Sequence, residues 1–226
     1  MLATGIARET FEFLSLLREN NNREWFMENK ELFKRHETGF KSFMEVLRAK
    51  MEWHDQLERL KVFRIYRDVR FSKDKTPYKS SFSGFMSRAG ATRRGGYYVH
   101  VEPGNCFLGS GFWKPNKADT LRVRKEWEQD AAALRQIMSE KVFVRIWGKM
   151  SGEEVKTAPK GFDREHRNID LIKKKQFIFT RHFSDAQVQQ PHFLDEVNAS
   201  FKAIRPFLDY MGHVLSTDGN GTSLLD

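Results

Sequence analysis

The residues best equipped for chemistry lie between Lys61 and Ser80, where the chain reads KVFRIYRDVRFSKDKTPYKS. Seven Lys or Arg, two Asp and four aromatic side chains fall within these twenty positions. The guanidinium groups of Arg64, Arg67 and Arg70, with the ammonium groups of Lys73, Lys75 and Lys79, are the donor types that hold a phosphate or a carboxylate. Tyr66 and Tyr78 interleave with them. Aromatic rings beside cations are what stacking on a base and contact with its phosphate require. The same residues also read as an internal network, in which Asp68 or Asp74 pairs with the arginines and pins a strand to its loop.

Acid–base chemistry would draw on Asp68 or Asp74 as base or metal ligand, on the cations to stabilise negative charge, and on His100 or His166 to move a proton. His100 and Glu102 are two residues apart, which on a strand places them on one face. Such a pair suits acid–base partners or two metal ligands, although a half-exposed sheet face carries polar residues in any case. GFDREHRNID gathers Asp163, Glu165, His166 and Asp170 near Lys160, but its spacing fits a capped surface loop and no metal signature. The chain has no P-loop, HExxH, GxSxG or zinc spacing. Gly95-Gly96 and Gly109–Gly111 lack the strand–turn–helix setting of dinucleotide binding. No cofactor and no metal site is assigned.

The charge distribution agrees with an anion-facing patch. The chain carries +9 overall. Lys61 to His100 holds ten of the 39 Lys and Arg but only two of the 30 Asp and Glu, so the remaining residues are almost neutral. A single cysteine, Cys106, excludes an intrachain disulfide and a Cys-based zinc site. With 226 residues and twenty Phe the chain can bury one sizeable core. The N-terminal stretch has no signal-peptide pattern and no segment has the roughly 20 apolar residues of a membrane span, so a cytoplasmic protein is expected.

These groups must be positioned by the elements around them. Phe11, Leu14 and Leu17 predict a helix over residues 8–20 with Thr10 as a cap. Asn22 is placed to cap a longer helix to about residue 51, with Phe26, Phe33, Phe40, Phe43, Met44, Leu47 and Met51 as its stripe and Gly39 as its weak point. Residues 62–71 read as a strand on their β-branched and aromatic content, with Phe63, Ile65, Arg67, Val69 and Phe71 on one face. Phe63 and Phe71 read as core, and Tyr78, after Pro77, as an exposed hydroxyl. The alternation of Tyr97, Val99 and Val101 with Tyr98, His100 and Glu102, then EPGN and Phe107–Phe112, predicts a hairpin. Gly109 and Gly111 mark a bulge or a close approach of backbones. A helix over 118–140 with Val123, Trp127, Ala131, Leu134 and Met138 as its stripe follows, then a strand at QFIFTRHF and a helix over 191–213 with Leu194, Val197, Phe201, Ile204, Leu208 and Met211 in register. The expected architecture is α+β, a single domain over residues 1–215 with a mainly antiparallel sheet and flanking helices, and a disordered tail over 216–226.

In the same order along the chain, NNREWF.ENK, FRIYRDVRFSKDKTPYK, GGYYVHVEPG, GSGFWKP and APKGFD.EH..ID resemble the conserved hypothetical proteins catalogued as domain of unknown function 2461. The resemblance runs from about Phe11 to about Tyr210. It implies a single-domain soluble protein with no settled activity and no catalytic residues to carry over. Three functions stay open. The first is a binding protein for a phosphorylated small molecule or a nucleic acid, with Arg64, Tyr66, Arg67, Arg70, Lys73, Lys75, Tyr78 and Lys79 as contacts. The second is a hydrolase or transferase acting on a phosphoester or another anion, using Asp68, Asp74 and His100. The third is a structural or partner-binding module built on the Arg–Asp network. Oligomeric state is not legible.

Overall fold

The computed structural model describes residues 4–225; residues 1–3 of the N-terminal stretch and Asp226 of the tail lie outside the described residues. Five strands, β1 (Leu57–Val62), β2 (Phe82–Arg88), β3 (Gly96–Val101), β4 (Cys106–Phe112) and β5 (Phe177–Phe183), form one antiparallel sheet in sequence order. With its flanking helices this is the expected α+β domain. Packing distinguishes two compact units within it, Met1–Met86, Tyr98–Leu108 and His182–Ala199 in the first, and Ser87–Tyr97, Gly109–Arg181 and Ser200–Asp226 in the second.

In the first unit α1 (Arg8–Glu19) buries Phe11, Phe13, Leu14 and Leu17. Ala7 begins it, and Thr10 is buried with its hydroxyl 3.1 Å from His36 Nδ1. Asn22 caps α2 (Arg23–Glu28) by accepting from Trp25 N at 2.9 Å. The expected long helix is broken at Asn29, whose side chain donates to Trp25 O at 2.9 Å, and resumes as α3 (Lys30–Met51). Such a side-chain bond to the preceding turn competes with helix continuation. Gly39 faces open space and α3 runs straight through it. Phe33 and Phe40 of α3 stack on Phe82 of β2, and Met44 fills the space beside Gly84, where a Cβ would meet its Cε at 2.7 Å. A short helix α8 (Asp185–Val188) opens with a Ser184/Gln187 capping box.

In the second unit the helix expected over 118–140 is two, α4 (Lys117–Gln129) and α5 (Ala132–Ser139), because the Asp130 carboxylate accepts from Ala132 N at 2.8 Å and starts a new helix. The stripe continues across the break, with Val123, Trp127, Ala131 and Leu134 buried and Met138 half-buried. KVFVRIW forms α6 (Lys141–Trp147), and α7 (Ile169–Ile172) precedes β5. The final helix, α9 (Phe193–Ser216), whose residues to Ala199 belong to the first unit and the rest to the second, buries its predicted stripe of Leu194, Val197, Phe201, Ile204, Leu208 and Met211. Beyond it Arg122 donates to Thr217 O and Asp218 O, both at 2.8 Å, and Thr217 bridges Ser223. Among the described residues no helix is long and apolar enough to cross a membrane.

Gly111 in β4 has φ 117°, and a Cβ there would lie 2.1 Å from Phe177 O of β5. Both the backbone conformation and the close approach therefore demand glycine. Gly111→Ala is expected to destabilise the protein by about 3 kcal/mol, read as a lower midpoint in urea unfolding; an unchanged midpoint would show that the strand pair yields freely.

Candidate functional site

The strand expected over 62–71 is not formed. β1 ends at Val62, Phe63 N donates to Ser83 O at 2.9 Å, and the chain then leaves the sheet as a loop over residues 64–81. Its two limbs pair backbone to backbone at the Tyr66–Tyr78 bridge, where Arg67 N donates to Pro77 O and Lys79 N to Ile65 O. Pro77 has no donor with which to extend that ladder. Asp68 accepts from Arg70 N and Asp74 from Thr76 N, local turns that compete with a strand. The face assignment changes accordingly. Ile65 is buried, whereas Phe71, read as core, is 97% exposed. Tyr78, read as an exposed hydroxyl, has a ring only 5% exposed, stacked on Phe26 at 3.9 Å between centroids. Asn21 clamps its backbone, donating to Tyr78 O at 3.0 Å and accepting from Tyr78 N at 3.1 Å.

The charged side chains of the loop divide into two groups. Arg67 pairs with Asp74 and donates to Thr76 Oγ1 at 2.7 Å. Hydrogen bonds from the Thr76 backbone and side chain, then from Arg67, hold the Asp74 carboxyl down to about 2. Arg70 grips both oxygens of Asp68, at 2.9 and 2.6 Å, and this pair holds the Asp68 carboxyl below its ordinary value. Lys75 donates to Val69 O at 2.9 Å. These residues shape the loop. By contrast the side chains of Lys61, Arg64, Lys73 and Lys79 find no carboxylate among the described residues. Lys79 donates to Arg64 O at 2.9 Å and lies 5.9 Å from the centroid of Phe63, which Lys61 covers at 5.0 Å. Burial, and then the fields of Arg64, Arg67 and Lys61, lower the affinity of Lys79 for its proton. Tyr66 is 55% exposed at the edge of this cationic group.

Next to Lys79, β3 presents a chain of hydrogen bonds. Tyr98, His100 and Glu102 share one face, as their period-2 spacing predicts, while Val99 and Val101 are buried on the other. His100 Nε2 lies 3.2 Å from Glu102 Oε2, and His100 Nδ1 lies 3.1 Å from the Tyr98 hydroxyl. A carboxylate only accepts, so Nε2 carries the hydrogen and Nδ1 accepts from Tyr98. Ser80 and Asn105 donate to Glu102 at 3.1 and 2.9 Å. Burial works to raise the Glu102 carboxyl, but these bonds and that from His100 outweigh it and hold it below its ordinary value. Burial lowers the affinity of His100 for a second proton despite Glu102, and raises the Tyr98 phenol against a hydrogen bond with Ser83. Tyr98 lies outside the basic stretch, and Lys61 and Phe63 lie within it but outside the contacts expected from it; all three stand at the candidate site, and the alternation through His100 was the available signal for Tyr98.

A pH dependence follows with a fixed sign. His100 binds a proton more weakly in the folded protein than at its ordinary value of 6.5, so its contribution to stability is complete above that value and lost as the pH falls below it. His36, also lowered by burial, acts in the same direction. The melting temperature is expected to drop on acidification below 6.5, and His100→Gln to flatten that drop without removing the part due to His36. An equal drop in both proteins, followed by calorimetry, would contradict the arrangement.

The other sequence candidates resolve into local structure. His166 Nδ1 accepts from Asn168 N at 3.2 Å, Asp163 accepts from Glu165 N at 3.0 Å, and Asp170 pairs with Arg135 at 2.7 Å. Among the described residues no group of three or more His, Cys, Asp and Glu is placed to hold a metal ion. Burial pushes the Cys106 thiol up to about 12, which leaves it protonated and unreactive.

An antiparallel sheet with helical flanks, and a basic loop beside a Tyr–His–Glu chain, define the protein as α+β. Residues 9–210 match the family described as conserved hypothetical protein (DUF2461), and the chain belongs to it. No curated protein and no solved structure matches the chain.

Proposed function

We propose that the protein binds a phosphorylated ligand at the cationic face formed by Lys61, Arg64 and Lys79, with Lys73 and the exposed ring of Tyr66 at its margin. The observation that carries this reading is the contrast within one loop. Arg67 and Arg70 are each matched by an Asp, whereas Lys61, Arg64 and Lys79 have no carboxylate partner among the described residues. Like charges gathered around a partly buried ammonium are stabilised by a bound anion. Arg67, Arg70, Lys75 and Tyr78 set the shape of the loop and do not touch the ligand in this reading. Titration with inorganic phosphate, nucleotides and oligonucleotides at about 50 mM and about 200 mM salt tests it. Binding that weakens with salt is expected, and no binding at the lower salt would overturn the reading.

One observation favours a second reading, an enzyme acting on that anion. Glu102 orients His100, and His100 Nδ1 faces the Tyr98 hydroxyl, the order of carboxylate, imidazole and hydroxyl that acid–base catalysis uses. Glu102 takes here the carboxylate role for which Asp68 and Asp74 were considered, since both of those spend their oxygens within the loop. Turnover of an aryl phosphate that is lost in His100→Ala would support this reading, and absence of turnover would leave binding alone.

A further inference from the structure

One face of the first unit carries a continuous strip of rings. Phe63 meets Tyr98 with centroids 6.1 Å apart, Tyr98 meets Phe107 at 5.8 Å, His100 stacks on Phe107 at 4.7 Å, and Phe107 meets His182 at 5.6 Å. The strip crosses β3, β4 and β5 and starts just after β1, so its spacing is set by the sheet and not by a loop. Phe63, Tyr98, His100 and Phe107 are half-buried and His182 is exposed, so the rings are held by their neighbours yet reach solvent. The opposite face is the core side, with Val99, Val101, Cys106 and Leu108 at most 1% exposed. Cations stand at one end of the strip, Lys61 and Lys79 over Phe63 and Arg64 beside them.

We infer that this face is a platform for a single-stranded oligonucleotide, bases stacking along the rings and phosphates running past Lys61, Arg64 and Lys79. The inference rests on the phosphorylated-ligand reading and names its ligand class. A single phosphate or mononucleotide would use the cations and leave most of the strip idle. Duplex DNA buries its base faces and could not use the strip at all. Base stacking is tolerant of sequence because every base has a π-face, and a row of rings on a sheet with flanking Lys and Arg supplies both halves of that recognition.

The test is fluorescence anisotropy of the whole protein with labelled single-stranded DNA and RNA of about 10 nucleotides, the matching duplex, and AMP as competitor, at two salt concentrations. Single strands are expected to bind at least about tenfold more tightly than duplex or AMP, which is one stacked base or more. Phe107→Leu keeps an apolar side chain and removes the ring; it is expected to lose about tenfold with the salt slope unchanged. Lys61→Ala is expected to flatten the slope by about 0.7. Far-ultraviolet melts establish that each variant is folded, and His182→Ala, whose side chain is exposed, supplies a second stacking variant where Phe107→Leu unfolds. Equal affinity for single strand and duplex, or wild-type affinity in folded stacking variants, would overturn the inference. AMP binding that is lost in Lys79→Ala, with no preference for oligonucleotides, would overturn the strip's role and leave the phosphate reading standing. No binding of any of these would overturn both.

Discussion

Lys79→Met is expected to weaken binding of the proposed phosphorylated ligand by at least about tenfold, the equivalent of one hydrogen bond to a charged group, while leaving the melting temperature unchanged or slightly higher. Both halves of that expectation come from the same geometry. Lys79 donates to a backbone oxygen, Arg64 O, and no carboxylate partners it among the described residues. Its ammonium is instead disfavoured by burial and by Arg64, Arg67 and Lys61. Methionine keeps the apolar stem over Phe63 and removes the charge. If the loop were only a structural network, every cation in it would hold the fold together, and removing Lys79 would lower the melting temperature with no ligand to lose. Parallel calorimetry and ligand titration of the variant separate the two. Arg64→Ala is expected to behave in the same way, and Arg70→Ala, whose partner Asp68 it fully occupies, to leave binding near wild type.

Tyr78→Ala has the largest expected effect on stability, a loss of about 3–5 kcal/mol, typical of removing a buried aromatic ring. The ring lies flat on Phe26, meets Tyr66 at 5.5 Å, and its backbone is held by both polar atoms of Asn21. In a chain of this length the loss corresponds to a melting temperature lower by about 10 °C. Tyr78→Phe keeps the ring and is expected to stay close to wild type, which distinguishes packing from any role of the hydroxyl. Phe71→Ala is the contrasting control, since that ring is 97% exposed and has no stacking partner among the described residues. A Tyr78→Ala protein as stable as wild type would mean that the loop is not anchored through this residue.

The sheet and the helices were legible in the sequence wherever hydrophobic period and burial coincide. The stripe of α9 and the alternation of β3 were readable because each has one buried and one wetter face, as Val99 and Val101 against Tyr98 and His100 illustrate. Helix interruptions at Asn29 and Asp130 were not readable as such, because a stripe such as that through Val123, Trp127, Ala131 and Leu134 continues across the break. The strand expected over 62–71 failed for a related reason. Its residues have strand propensity, but Pro77 and the turns at Asp68 and Asp74 deny it a partner, and only the fold decides whether a partner is present. The candidate site was legible in part. Composition pointed to the basic loop, and the pairing of Asp68 with Arg70 and Asp74 with Arg67 follows from local spacing. That Lys79 stands beside His100, and that Phe63 opens a row of rings reaching His182, depends on strand register across the sheet, which no single stretch of sequence carries.

The most direct test of an anion-binding face is nuclear magnetic resonance of the lysine side-chain ammonium groups during titration with AMP. The Nζ signals of Lys79 and Lys61 are expected to shift first and together, saturating with the ligand, while Lys75, tied to Val69 O, stays in place. Signals of Lys79 and Lys61 that remain unmoved through saturating AMP, or a shift confined to lysines elsewhere in the chain, would contradict it.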